Sequence, residues 1–535
     1  MSPPTLSQAR AWDPDALARL GDQWDEAARR LLADVDAALV EVDRGGRQWT
    51  GAAADAARRR AGRIADDAAA AARILIAASV AAHDGADRIG ATRRQVLALA
   101  DAAHRDGLWL DEDGTVRAHG DPGSLLQMMA GGNAEVAAGM LEARAARLTV
   151  ELAGALQRLG DADADAADDI AAAFASAPTT PPAAATVPAG AWPVQAADVV
   201  DAWPAMSQDR IAAQIADMTP HQREQLIAGF PRQVGNTDGV PWPMRVQANR
   251  VNIASAILAE DGRDDGSRRR QALYRDLLGE VDDPAGDGGR IPRQILAFDP
   301  GRASLVELHG ELDGATGVGV LVPGVNTTME GSAANTATAR RFVAGSRGTV
   351  AMITYLGGPF PQVDDPVDVL RHAADPDYAL QMAPRLVAFS EDVERVVPPG
   401  VPVTVLGHSY GGAIVGTAET LGLTSDRTVF LAAAGAGVGV DDPSDWHNRN
   451  PHVRRFSMTA PGDFIELVQG FPGGPHGRDP DEMPGVTALS TGRYDDGSWV
   501  AGWDAHSGML NRPSDAWRTI LAVISGEQAA TVGVP

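Results

Sequence analysis

Gly407-His408-Ser409-Tyr410-Gly411 is a G-x-S-x-G run, extended by the small residues Gly412 and Ala413. A serine there can act as a nucleophile if a sharp turn presents its hydroxyl and a nearby base removes its proton. The flanking sequence supplies that turn. Val401-Pro402-Val403-Thr404-Val405-Leu406 has the apolar, β-branched character of a buried strand, and the residues through Leu421 read as helix. Gly407 and Gly411 fall where strand and helix converge and a Cβ atom would collide. In a chain with 58 glycines the bare motif says little, but between a strand and a helix it marks Ser409 as a nucleophile.

Such a serine needs a histidine as general base and a carboxylate to orient it, following in the chain order acid, then histidine. His506 is the one histidine after the final strand-like run, Val486 to Leu489, and is the expected base. Asp463 closes the loop Thr459-Ala460-Pro461-Gly462-Asp463 after the run Val453 to Met458, and is the favoured acid. Asp441, Asp442 and Asp445 follow the preceding strand and are the alternatives. His447, His452 and His476 read as surface loop residues, and the His408 side chain is expected to point away from the site. The tetrahedral oxyanion needs two donors. The N–H of Tyr410 is one; the other is expected from Pro323-Gly324-Val325-Asn326-Thr327, with Val325 N–H first and Asn326 second. Asp161, Asp163 and Asp165 imitate a calcium loop, but Ala166 and Ala172 replace the turn glycine and the closing glutamate, which predicts a solvated acidic helix end.

These residues need a scaffold, and alternating short β-like and helical runs predict one. Gln294 to Phe298, Ser304 to Leu308, Val318 to Val322, Val350 to Tyr355, Val401 to Leu406, Thr428 to Ala432, Val453 to Met458 and Val486 to Leu489 are the strands of an α/β fold with a mostly parallel sheet flanked by helices. Upstream, apolar residues recur at helical spacing from about Asp13 to Phe174, broken at Gly45-Gly46 and Trp49-Thr50-Gly51, which predicts a helical hairpin or bundle. Leu108 to Val116 holds an Asp-Gly turn between apolar residues, a small β-hairpin near 108–119. The expected domains are a helical region over 1–176, a Pro- and Ala-rich linker over 177–193, the α/β domain over 194–526 and a tail over 527–535. Gly357 to Arg385 and Phe464 to Pro484 are long insertions that could cover a site.

Composition removes many other chemistries. The 535 residues include no cysteine, and all 46 basic residues are arginine. Thiolate nucleophiles, cysteine zinc sites, disulfides and lysine Schiff bases are therefore excluded, and neither a metal nor an organic cofactor is expected. A net charge of −25 disfavours nucleic acid and anionic lipid. The N-terminus has no basic segment leading into an apolar one, and Ala68 to Ala82 is too short and too alanine-rich to span a bilayer. A soluble, by default cytoplasmic, protein with a small-molecule ester or lipid-like substrate is expected.

Val322 to Thr327, the Gly407 to Gly412 turn, Thr459 to Asp463, and Gly235-Asn236-Thr237-Asp238-Gly239-Val240-Pro241 with Arg245 and Asn249 together resemble an actinobacterial α/β-hydrolase family of unknown function. The resemblance covers roughly Ala191 to Gly526 and implies a serine-hydrolase fold with a catalytic triad but no substrate. The 235–241 segment carries no evident mechanistic role. The first 107 residues resemble the WxG, ESX-like helical hairpins of type VII secretion, with Trp49-Thr50-Gly51 at the turn, which implies a helical protein partner and, as the alternative to a cytoplasmic location, export. None of the tyrosines is followed four residues later by an acid, so the export signal usual in that group is missing. The expected function is a serine esterase acting through an acyl-enzyme on Ser409; the alternative is a secretion-associated interaction protein whose hydrolase domain is a scaffold.

Overall fold

The computed structural model describes residues 3–46, 51–119, 133–175, 196–286, 289–363, 375–467, 469 and 474–527. Trp49, Thr50, the 177–193 linker and residues 528–535 of the tail lie outside the described residues. The chain forms two compact units, Met1–Thr186 with Ala254–Asp261, and Val187–Ile253 with Gly262–Pro535.

The first unit is built from helices α1 (Leu6–Ala11), α2 (Pro14–Gly46), α3 (Ala52–Arg105) and α4 (Ala134–Ala175), with a minimal antiparallel pair, β1 (Trp109–Leu110) and β2 (Val116–Arg117). Leu148, Leu152, Leu156 and Leu159 recur on one face of α4 and are buried with Val96 and Ala100 of α3. Asp161, Asp163 and Asp165 lie within α4 and are exposed, and Asp165 pairs with Arg88 at 2.8 Å.

The second unit starts with helices α5 (Ala196–Ala202), α6 (Gln208–Ala216), α7 (Pro220–Gly229), α8 (Pro231–Asn236), α9 (Trp242–Ala259, which belongs to this unit through Ile253) and α10 (Asp265–Leu278), then a two-stranded pair, β3 (Glu280–Asp282) and β4 (Arg290–Pro292), that the sequence pattern did not predict. The main sheet follows: β5 (Gln294–Asp299), β6 (Ser304–His309), β7 (Gly317–Val322), helix α11 (Ala333–Gly345), β8 (Val350–Leu356), α12 (Asp377–Val396), β9 (Val403–His408), α13 (Tyr410–Thr420), β10 (Arg427–Leu431), β11 (Arg454–Met458) and β12 (Val486–Ala488), closed by α14 (Ala505–Asn511) and α15 (Asp515–Ser525). Strand order is β12-β11-β10-β9-β7-β8-β6-β5. The six strands from β12 to β8 run parallel, while β6 and β5 pair antiparallel at one edge. All six β7 residues, Gly-Val-Gly-Val-Leu-Val, are buried, the continuous apolar run expected of a strand covered on both faces. A Cβ on Gly317 would lie 2.1 Å from the Ile524 carbonyl oxygen, so glycine lets α15 close on this strand. Register pairs Val322 with Gly407 and His408 with Leu431, which sets the carboxyl ends of β7, β9 and β10 side by side. In parallel sheets that end is where sites are built.

The 235–241 segment has a structural role. Asp392 on α12 is fully buried and accepts hydrogen bonds from Arg245 Nη1 (2.8 Å), Trp242 Nε1 (2.8 Å) and the Gly239 N–H (2.9 Å). Arg245 also binds Asp238 at 2.9 Å and donates from Nε to the Leu296 carbonyl of β5 at 2.7 Å. Asn249 donates to the carbonyls of Gly235 (2.8 Å) and Ile295 (3.0 Å). A Cβ on Gly235 would lie 2.2 Å from Asn249 Oδ1, which explains the glycine. The segment thus satisfies buried polar groups while locking α9 to the antiparallel sheet edge and to α12.

Candidate active site

Ser409 sits between the end of β9 and the start of α13 with φ 55° and ψ −123°, a conformation that costs free energy and that neighbouring contacts must enforce. Its N–H donates to the Leu431 carbonyl at 2.9 Å, and its own carbonyl accepts from Gly412 and Ala434, each at 3.0 Å. The glycines around it make the turn possible. A Cβ on Gly407 would lie 2.5 Å from the Gly411 carbonyl oxygen, and one on Gly411 would lie 2.1 Å from that of Val322. Gly412 is equally constrained, with a Cβ falling 2.2 Å from the Ala433 side chain. The Tyr410 N–H occupies the first turn of α13, where no intrahelical acceptor exists, and so can face an oxyanion.

The loop after β7 passes against Ser409. A Cβ on Gly324 would lie 2.6 Å from Ser409 Cβ and 3.0 Å from its Oγ. Of the two residues considered for the second oxyanion donor, Asn326 is otherwise engaged. Its N–H donates to the Pro361 carbonyl at 2.8 Å, and its side chain exchanges hydrogen bonds with Val363 at 2.6 and 3.1 Å. Asn326, at φ 59°, clamps this loop to the 357–385 insertion, leaving Val325 as the candidate.

Asp463 is buried and meets His506 Nδ1 with both carboxylate oxygens, at 3.0 and 3.1 Å. Its Oδ1 also accepts the Ile465 N–H at 3.0 Å, and its own N–H donates to Ala460 at 3.0 Å, so the carboxylate is held in a tight turn. Asp441, Asp442 and Asp445 are instead bound to one another's backbone: Asp445 Oδ2 accepts from the N–H groups of Asp441 and Asp442, each at 2.9 Å. Contact with the Nδ1 edge leaves Nε2 of His506 as the nitrogen available for proton transfer.

Two histidines depart from the expectations. His408 does not point away: its Nε2 lies 2.8 Å from the His506 carbonyl oxygen and its ring centroid 4.9 Å from that of His506. Burial, reinforced by the nearby His506, pushes His408 down to about 3, so it is neutral and donates that hydrogen bond. A side chain at the last residue of a strand flanks the crevice at the sheet end, where α14 also arrives. His476 is not a surface residue; it is buried, with its ring 5.1 Å from and perpendicular to that of Tyr410. The close approach of Gly435, whose Cβ would lie 2.3 Å from the His476 carbonyl oxygen, admits the loop there. His447 and His452 are exposed. Sequence reasoning also missed Phe464, whose ring centroid is 4.3 Å from that of His506; its position directly after Asp463 was the available signal.

Among the described residues there is no cluster of three or more His, Asp or Glu side chains able to hold a metal ion, and no helix long and apolar enough to cross a membrane. Residues 299–472 match the model of a family described as alpha/beta hydrolase. The chain is also similar to uncharacterized proteins from two strains of Mycobacterium tuberculosis, each 29% identical over 267 residues. Those matches cover 41% of this chain and 38% of the relatives' length. The match and the sheet topology give the second unit the α/β-hydrolase fold, and they support a hydrolase.

Proposed function

With an α/β-hydrolase fold as premise, we propose that this chain is a serine hydrolase of carboxylic esters, with its catalytic residues in the 194–526 domain. The Asp463–His506 pair at 3.0 Å, with the His506 ring 4.9 Å from that of His408, the residue before a serine at φ 55°, is the observation that carries this reading. His506 Nε2 takes the Ser409 proton as Oγ attacks the ester carbonyl carbon. The carbonyl oxygen becomes an oxyanion, which the N–H groups of Tyr410 and Val325 stabilise. Collapse of the tetrahedral intermediate breaks the C–O bond, His506 returns its proton to the leaving alcohol, and the acyl group stays on Ser409. Water, activated by the same imidazole, then releases the acid. Asp463 holds the His506 tautomer and stabilises the imidazolium that forms. His408 fixes the main chain of the base without placing a second positive charge beside it.

The test is turnover of a nitrophenyl ester by the full chain and by Ser409→Ala. Loss of a covalent nucleophile should lower the rate by several orders of magnitude with the fold retained. Equal turnover by the two proteins rules the reading out.

A further inference from the structure

We propose that Phe464 and Trp503 form the leaving-group subsite, and that the alcohol portion of the substrate is large, apolar and not anionic. This rests on the serine-hydrolase reading above and extends it to a substrate class.

Phe464 directly follows the acid Asp463, is partly buried, and has its ring centroid 4.3 Å from the His506 imidazole at a tilt of 43°. Trp503 lies three residues before the base, is 68% exposed, and stands 5.6 Å from Phe464, ring to ring. The rings come from two loops that are tied together: the Gly502 N–H donates to the Pro461 carbonyl at 2.8 Å, and the Ala505 N–H to the Gly502 carbonyl at 3.0 Å. The main chain that carries both rings is therefore tied to the Asp463–His506 pair.

The direction of the chemistry assigns them to the alcohol. His506 must deliver its proton to the leaving oxygen across a hydrogen bond of roughly 3 Å, so the first carbons of the alcohol lie beside the imidazole. The acyl carbonyl, by contrast, is held toward Tyr410 and the Gly324 loop. On the strand side of the base, His408 takes up the His506 carbonyl. The apolar surface next to the imidazole is the Phe464 ring, and it leads outward to the indole of Trp503, a large rigid face able to take apolar area at little entropic cost. Charge narrows the class further. Glu466 and Asp504, both exposed, lie two and one residues along the chain from Phe464 and Trp503, and the whole chain carries −25, so phosphate- or carboxylate-bearing leaving groups are repelled.

The experiment uses the full-length protein with butyrate esters of alcohols of similar acidity and increasing apolar area: ethyl, benzyl and naphthylmethyl. In the unsubstituted protein kcat/KM should rise roughly 10- to 100-fold from ethyl to naphthylmethyl. Trp503→Ala should reduce that naphthylmethyl-to-ethyl ratio by about tenfold, and Trp503→Phe should restore part of it. Varying the acyl chain at constant alcohol should give the same profile in Trp503→Ala as in the unsubstituted protein. A flat alcohol series, or a ratio unmoved by Trp503→Ala, overturns the subsite. Labelling of Ser409 by a fluorophosphonate, measured in the same preparations, separates the two ideas. Labelled protein with a flat series loses only the subsite, whereas unlabelled protein that hydrolyses no ester loses the serine-hydrolase reading and the subsite with it.

Discussion

Replacing Gly324 by Ala places a methyl carbon 2.6 Å from Ser409 Cβ and 3.0 Å from Ser409 Oγ. Carbon atoms rest about 3.5–4.0 Å apart, so relief needs a displacement of about 1 Å. Ser409 cannot readily supply it, being held at φ 55° with its N–H on Leu431 and its carbonyl on Gly412 and Ala434. The 323–327 loop must give instead, which pulls Val325 away from the carbonyl being attacked. A misplacement of about 1 Å costs on the order of 10²-fold in rate, and loss of one oxyanion donor about 10²–10³-fold, so both routes give the same expected range. Stability should suffer less, since overpacking costs about 1–3 kcal/mol. The assay is kcat/KM on nitrophenyl butyrate beside a thermal melt. A loss of about 10²–10³-fold with a cooperative melt shifted by a few degrees is expected. Turnover within threefold of the unsubstituted protein, in a chain whose melt is unchanged, would refute the placement of this loop against the nucleophile.

Asp463→Asn should keep the geometry yet lower turnover by on the order of 10⁴, while Asp441→Asn, Asp442→Asn and Asp445→Asn stay near the starting rate. Collapse of one of those three with Asp463→Asn active would move the acid to the earlier loop. Asp392→Ala leaves Trp242 Nε1 and the Gly239 N–H without their acceptor and takes from the buried Arg245 one of its two carboxylate partners, and should cost about 3–5 kcal/mol in urea denaturation; a midpoint unchanged from the original protein would contradict the buried network. Stability should also respond to acid. Unfolded, His309 takes a proton below about pH 6.5, whereas burial keeps it neutral in the fold down to about 4. The unfolded state binds more protons in that window, so stability falls as pH drops from 6.5 toward 4, with His408 adding to the slope. His309→Gln should flatten the dependence of melting temperature on pH there; an unaltered slope would count against it.

The parallel strands and the strand-turn-helix around Ser409 were legible because their signals are local. β-branched runs, glycines and the strand-turn-helix order all fall within a few residues of one another. Asp463 and His506 could be ranked because chain order limited the choices, although they are 43 residues apart. What stayed hidden depends on contacts between distant segments. The Arg245–Asp392 bond spans 147 residues, so the 235–241 segment had no readable purpose. The contact of His408 with His506 was not readable, because adjacency to Ser409 does not reveal that α14 comes back to the end of β9. Asn326 looked like a donor until Pro361 and Val363, on a different segment, claimed its polar atoms. His476 resembled a loop residue because nothing local records the approach of Gly435 or the Tyr410 ring.

The most direct test of the account is the site of covalent modification. The full chain, treated with a fluorophosphonate and digested, should yield a single modified peptide with the added mass on Ser409. Ser409→Ala should give none, and His506→Ala should react at least 10²-fold more slowly because the hydroxyl loses its base. Adduct on another residue, or labelling that persists in Ser409→Ala, would contradict an acyl-enzyme at this turn.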